Sequence, residues 1–371
     1  MQVRRSRLCG KIKIPPSKSH THRALLFASL ATGPCTIENA LNSPDIDLMR
    51  YALAELKKPN PKIESGNSGI VYRFLTALAA LSSKKVQISG DSRRPIQPLH
   101  DAIVQLGGNI DSGISGPLRS GKVLICGKDS QPVSALLIAC AVSQGPFDIC
   151  VSNPQEKEWL NVTLDWFDRL GISYERDGYS QFSLPGSSVI APFHYRVPAD
   201  FSSAAFPIAA AIVTGSEIEI EGLDFSDSQG DKKLFDYVKM GEDFAGGEID
   251  VAPFVDALPI LATLACFAKR PTHLFNGAIC RTKESDRIST ITKELRKMGA
   301  LIEEKPDGLL IQPTKLTGAK VESHNDHRIA MALAVAGMGA SGVTEIPDFS
   351  VSEKTYPSFC KDFQSLGAAI G

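Results

Sequence analysis

The chain has 371 residues, 43% of them hydrophobic and 22% charged, the proportions of a soluble globular protein too long for one ordinary core and suited to two domains. Lys+Arg 40 against Asp+Glu 41 leave a formal net charge of -1, which argues against a nucleic-acid scaffold or a protein drawn to a membrane surface by charge. Any basic residues that matter must therefore act locally.

The opening run Met1-Gln2-Val3-Arg4-Arg5-Ser6-Arg7 is charged, but no apolar stretch follows it, so neither a secretory signal nor a transit peptide is expected. From there two kinds of helix alternate. The first is Ala-rich and opens on small polar residues, and is expected at 17–33, 67–83, 130–145, 202–215, 256–269 and 326–339. The second is amphipathic and closes at Leu56, Leu106-Gly107, Leu170-Gly171, Met240-Gly241, Met298-Gly299 and Leu366-Gly367. Short β-branched runs between them read as strands at 11–14, 85–89, 122–126, 147–151, 217–220, 272–276, 308–312 and 342–346. The order repeats every 50 to 70 residues or so, which indicates six supersecondary units, three to a domain, with the Ala-rich helices buried and the amphipathic ones outside. A crossing between domains is expected near 242–247. The longest apolar stretch, 257–268, is too short to span a bilayer. Cys9, Cys35, Cys126, Cys140, Cys150, Cys266, Cys280 and Cys360 form no CxxC pair, which predicts reduced thiols in a cytoplasm and no metal centre.

The densest charge lies in Arg281-Thr282-Lys283-Glu284-Ser285-Asp286-Arg287, ahead of a helix whose apolar side is Ile288, Ile291, Leu295 and Met298. On a helix Lys283 and Arg287 would share a face and repel, and cations in a first turn oppose the helix dipole. That placement is favourable where an anion binds. Glu284 beside them is a candidate for proton transfer, although a solvated, self-neutralised turn would carry the same residues. Other helix starts repeat the pattern. Lys18 and Arg23 open the first Ala-rich helix, Arg94 precedes Pro95, and Asn325-Asp326-His327-Arg328 opens the last. Capping accounts for the Ser, Asn and Asp residues at such positions, but not for Lys18, Arg23, Arg94, Arg287 and Arg328. Basic residues recurring at helix starts in a chain without net positive charge point to one polyanionic site in a cleft between domains.

Pro16-Ser17-Lys18-Ser19-His20-Thr21-His22-Arg23, Gly66-Asn67-Ser68-Gly69, Arg94-Pro95-Ile96, Ser130-Gln131, Lys283-Glu284-Ser285-Asp286-Arg287, Asn325-Asp326-His327-Arg328 and Lys354-Thr355-Tyr356-Pro357 together resemble the 5-enolpyruvylshikimate-3-phosphate (EPSP) synthase family, in order, from about Gly10 to Gly367. The resemblance implies an α/β chain, α+β in some schemes, of two similar domains. Each would hold three βαβαββ units in an inside-out α/β barrel, with lobes at 14–241 and at 1–13 plus 242–371 and the site in the cleft between them. It implies transfer of the enolpyruvyl group of phosphoenolpyruvate to the 5-hydroxyl of shikimate 3-phosphate, with release of phosphate, on the shikimate pathway of aromatic amino-acid biosynthesis. The reaction would run by addition and elimination through a tetrahedral intermediate with two phosphates and two carboxylates.

By the same resemblance Lys18, Asn67, Gly69, Arg94, Arg287, Arg328 and Lys354 would hold phosphoenolpyruvate. Lys18, Ser19, Arg23, Ser130, Gln131, Ser203, Asp256 and Lys283 would hold shikimate 3-phosphate. Asp256 would take the hydroxyl proton and Glu284 would supply and remove the C3 proton, assisted by Lys18 and Lys354. No cofactor, metal, nucleic acid or membrane is implied; a cytoplasmic monomer and glyphosate target is expected. The alternatives are the related transferase acting on UDP-N-acetylglucosamine and a non-catalytic anion-binding homologue. The first uses a Cys before its Arg-Pro, and Gly90-Asp91-Ser92-Arg93 contains none. The chain departs from the family pattern at His22 (commonly Asn), Ile70 (Thr), Asp129 (Ser) and Phe206 (Tyr). At Asp129 a carboxylate replaces a phosphate donor; either it faces the phosphate and weakens binding or, as expected here, it holds a neighbouring cation such as Lys128 or Arg23.

Overall fold

A computed structural model describes residues 1–93, 95–239 and 241–371. The described helices, in chain order, are α1 Lys18–Leu30, α2 Pro44–Glu55, α3 Gly69–Ala79, α4 Gln97–Gln105, α5 Ser130–Val142, α6 Lys157–Leu170, α7 Phe201–Thr214, α8 Leu258–Cys266, α9 Arg287–Lys297, α10 His327–Gly339 and α11 Phe359–Ser365. Among the described residues no helix is long and apolar enough to cross a membrane.

The chain divides into two compact units. One is continuous, Lys18–Val197. The other is discontinuous, Met1–Ser17 with Pro198–Gly371. This division differs from the expected lobes, because 198–241 belongs with the C-terminal part. The reason lies in packing: apolar α7 lies against α8 and α10, and strand Glu217–Glu221 pairs in parallel with Cys9–Lys13. The expected crossing at 242–247 falls inside the discontinuous unit.

Each unit has its own core and one four-stranded sheet. In the continuous unit the sheet order is Gly121–Cys126, Phe147–Ser152, Gln181–Leu184, Glu175–Asp177, the first pair parallel and the rest antiparallel. α5 connects the parallel pair and α6 leads to the hairpin, so the order is βαβαββ. In the discontinuous unit Gly247–Asp250, Thr272–Phe275, Gly308–Gln312 and Leu301–Lys305 repeat the arrangement around α8 and α9. α5 and α8 are apolar nearly all round and buried along their length, as a helix enclosed on several sides must be. α9 is one-sided: Ile288, Ile291, Leu295 and Met298 are all fully buried. It starts at Arg287, because Asp286 accepts the Ser289 N–H as N-cap.

The amphipathic helix expected to close at Met240-Gly241 is replaced by a 3-10 helix, Gly230–Asp236, and Met240 lies outside the described residues. There Asp231 points inward, where its Oδ2 accepts from Ser202 Oγ at 2.6 Å, and Lys232 bonds back to the Asp227 carbonyl at 2.5 Å. These side-chain ties hold the turn tighter than an α-helix.

Candidate active site

In the discontinuous unit the motif residues meet around one guanidinium. Arg287 opens α9 and is 1% exposed. It donates through Nε to Asp326 Oδ2 at 2.8 Å, through Nη1 to Asp256 Oδ1 at 2.7 Å and through Nη2 to Glu284 Oε2 at 2.7 Å. Burial opposes its charge, but Asp326, Glu284 and Asp256 outweigh that and raise its pKa well above the ordinary value. Asp326 caps α10 by accepting the Arg328 N–H at 2.9 Å, so one carboxylate fixes both the helix and the arginine. Arg328 reaches Asp256 Oδ2 at 2.8 Å, leaving its buried Nε without a hydrogen-bond partner among the described residues. Asp256 is thus gripped by two arginines. Burial raises its pKa, yet Arg328 and Arg287 hold it well below the carboxylate range. Lys354, at the end of the 3-10 helix Phe349–Lys354, lies 3.8 Å from Glu284 Oε1. Lys283 is buried beside this group and adds to the field on Asp256. Asp231 is pushed up to about 7 by burial and then by the Asp256 charge. The Ser203 N–H is capped by Asp200, and its buried Oγ has no hydrogen-bond partner among the described residues.

In the continuous unit Lys18 opens α1 and lies 3.4 Å from Asp45 Oδ2. Asp45, in the first turn of α2, also accepts from buried His22 Nε2 at 3.2 Å. Burial lowers the His22 pKa against the pull of Asp45. His20, one residue after Ser19, is a core histidine: its Nδ1 accepts from Trp166 Nε1 at 3.2 Å and from the Tyr195 hydroxyl at 2.8 Å. Arg23 is buried against the Phe74 ring and donates only to neutral partners, Thr163 Oγ1 at 2.9 Å and the Ser19 carbonyl at 3.2 Å. Burial pushes its pKa down to about 9, so it stays charged at neutral pH with no carboxylate against it among the described residues. Ser68 caps α3 by accepting the Val71 N–H, with Asn67 before it and Gly69 as first helical residue. Arg73, a turn later, donates to the Pro95 carbonyl at 3.0 Å, to Gln131 Oε1 at 2.6 Å and to Asp129 Oδ2 at 2.7 Å. Ser130 and Gln131 form the first turn of α5 beneath the Asp129 cap.

These two clusters carry the residues that the sequence resemblance singled out. A family model described as EPSP synthase (3-phosphoshikimate 1-carboxyvinyltransferase) matches residues 3–64 and 56–363. The chain belongs to the EPSP synthase family. A relative from Chlamydia felis, named 3-phosphoshikimate 1-carboxyvinyltransferase, is 44% identical over 98% of this chain and 93% of its own length. One of the same name from Chlamydia muridarum is 44% identical over 97% and 93%. Among solved structures, an EPSP synthase from Acinetobacter baumannii superposes with a TM-score of 0.81 at 22% identity, covering 99% of this chain and 98% of that one. The enolpyruvyl transferase NikO from Streptomyces tendae shares the fold with a TM-score of 0.76 at 17% identity, over 99% and 97%.

Within the EPSP synthase motifs several expectations need correction. Lys283 precedes α9 in extended backbone, so it does not share a helical face with Arg287. The Arg287 charge is met by three acids of the chain itself rather than left for an anion alone. Asp256 is not a helix cap: α8 begins at Leu258 with Ala257 as its N-cap, and Asp256 lies in the last turn of the preceding 3-10 helix Ala252–Ala257. Asp129 does hold a cation, but that cation is Arg73 and not Lys128 or Arg23. Arg94 lies outside the described residues. Sequence reasoning missed Asp45, Asp231 and Thr163 as members of these clusters. Asp45 reads as an ordinary first-turn acid after the Ser43 cap, and Thr163 as one polar residue of an amphipathic helix. Arg73, a turn or so after the Asn67-Ser68-Gly69 helix start, is visible in the sequence, but its partners Gln131 and Asp129 are not.

Proposed function

We propose that this chain transfers the enolpyruvyl group of phosphoenolpyruvate to the 5-hydroxyl of shikimate 3-phosphate, releasing phosphate, and that both charged clusters act on that pair of substrates. The observation that carries the reading is Glu284 held between Arg287 Nη2 at 2.7 Å and Lys354 at 3.8 Å. That arrangement combines a proton-transfer group with cations for the developing charge. In this reading each lobe is built of three βαβαββ units. The enzyme works as a monomer without metal or organic cofactor, and its compartment is the cytoplasm.

Addition requires the 5-hydroxyl to lose a proton as its oxygen attacks C2 of the enol, while C3 gains one. Asp256, ionised far below neutral pH, accepts the hydroxyl proton as attack makes it acidic. Anionic substrates compete for Arg287 and Arg328, which weakens the hold of those arginines on Asp256 and increases its basicity when substrate is bound. The same competition loosens the hold of Arg287 on Glu284, which delivers a proton to C3 and takes it back as phosphate leaves with the proton that Asp256 had accepted; Lys354 is its cationic partner. Lys18, Asn67, Gly69, Arg94, Arg287, Arg328 and Lys354 hold phosphoenolpyruvate. Ser19, Arg23, Ser130, Gln131, Ser203 and Lys283 hold shikimate 3-phosphate, with Arg23 supplying a buried charge already free of carboxylates. A phosphate-release assay with both substrates tests the reading. Release that depends on shikimate 3-phosphate is expected; no release with it would overturn the assignment.

A further inference from the structure

Glu156 lies outside every motif of the sequence. It stands just before α6 in left-handed backbone, φ 47° and ψ 39°, which a residue with a side chain adopts at a cost. Its side chain is buried, 4% exposed. Glu156 Oε2 accepts both donors of Ser130, the backbone N–H at 3.0 Å and the hydroxyl at 3.1 Å. On the other side of Ser130, Asp129 caps the Gln131 N–H at 2.9 Å and holds Arg73 at 2.7 Å. Two carboxylates of the chain therefore serve the positive end of α5, and Glu156 takes the donors that an incoming phosphate would use.

We propose, resting on the assignment of Ser130 and Gln131 to the shikimate 3-phosphate site, that Glu156 is a specificity-determining residue. Its carboxylate sits as an internal anion on Ser130 and is displaced when the acceptor's phosphate binds. The chain's preference for a phosphorylated acceptor over the same acceptor without phosphate is thereby held down. A phosphate arriving at Ser130 meets a like charge within hydrogen-bond range of the same donors, and like charges at that separation repel strongly when partly desolvated. The left-handed backbone is consistent with this role, since strain tends to persist where the surroundings fix a side chain in one place.

The test is Glu156→Gln, which removes the charge, keeps the shape and leaves an acceptor for Ser130. Shikimate 3-phosphate and shikimate are titrated separately into the parent and the variant. Emission is followed from Trp159 and Trp166, both on the helix that Glu156 precedes. Shikimate 3-phosphate should bind about tenfold more tightly to the variant, with the larger gain at low ionic strength, and shikimate within twofold of the parent. In turnover the gain should appear in the KM for shikimate 3-phosphate and not in that for phosphoenolpyruvate. Unchanged or weaker binding of shikimate 3-phosphate overturns the proposal, as does equal tightening of both ligands. A second variant, Glu156→Asp, retains the charge and should gain much less than the Gln variant; an equal gain would show that charge is not the cause. Should neither protein release phosphate, the assigned reaction falls, while the binding comparison still decides the role of Glu156.

Discussion

Arg287→Lys keeps the charge and removes the fork. Arginine serves Asp326, Asp256 and Glu284 in three directions at 2.7–2.8 Å. A lysine offers one compact ammonium and can satisfy one of those directions well. Two charge-assisted hydrogen bonds are lost, each worth about 1.5–3 kcal/mol. The expected destabilisation of the discontinuous unit is about 3–5 kcal/mol, the range for opening a buried ion pair. Urea unfolding followed by far-UV circular dichroism and by tryptophan emission measures it. Both tryptophans lie on α6 of the continuous unit, so emission reports that unit. With a slope of about 2 kcal/mol per molar urea, part of the dichroism transition should move down by about 1.5–2.5 M while the emission transition stays. The pH dependence follows in sign. A depressed carboxyl such as Asp256 contributes stability that is present above its unfolded pKa, near 3.9, and lost as pH falls through the folded value. The variant relaxes that depression, so its acid unfolding should begin at higher pH than the parent's. A dichroism shift under about 0.5 M would refute the claim that the guanidinium fork holds the three acids.

Three further outcomes are expected. Glu284→Gln should lower turnover by about 10²–10⁴-fold with shikimate 3-phosphate affinity nearly intact; parent-like turnover would remove Glu284 from proton transfer. Asp45→Asn withdraws the charge shared by Lys18 and His22, and should raise the KM for phosphoenolpyruvate about tenfold, roughly 1.4 kcal/mol of lost positioning; an unaltered KM would detach Lys18 from that substrate. Exposed Cys9 and Cys150 should react with a disulfide reagent in the native protein. Cys266, raised to about 12 by burial, and Cys140, raised further, should react only on unfolding, and rapid labelling of either in native buffer would contradict the burial.

What the sequence made legible is what repeats within a few residues. The period of Ile288, Ile291, Leu295 and Met298 shows α9, and the all-round apolar runs show α5 and α8, because each is set by side chains three and four apart. Strands of three residues with a single apolar position, such as Lys62–Glu64 and Thr36–Glu38, give no alternation long enough to read. The clusters followed the same divide. Cations at helix starts were visible, but of the acids on Arg287 only Glu284 is local: Asp256 and Asp326 reach it across 31 and 39 residues, just as Glu156 reaches the Ser130 helix start across 26. Local sequence therefore showed where charge had gathered and only part of what neutralises it. The loss of the fourth amphipathic helix has the same origin, since Asp231 is drawn to Ser202 across 29 residues.

The discontinuity of one unit imposes an order on biosynthesis. Lys18–Val197 is a single uninterrupted stretch with its own core, so all it needs has been translated before the longer segment of the other unit, Pro198–Gly371, begins. The flanking segments are stitched side by side: the Ser17 N–H donates to the Pro198 carbonyl at 2.8 Å, and the Asp200 N–H to the Pro15 carbonyl at 2.9 Å. The earliest strands must nonetheless wait. Among the described residues Cys9–Lys13 has no strand partner until Glu217–Glu221 emerges, and Gln2–Arg4 none until Val343–Glu345 does. At about 5–20 residues per second, Gln2–Arg4 remains an unpaired edge for roughly 17–70 seconds, a window in which a nascent chain can be bound by a chaperone or pair with the wrong strand.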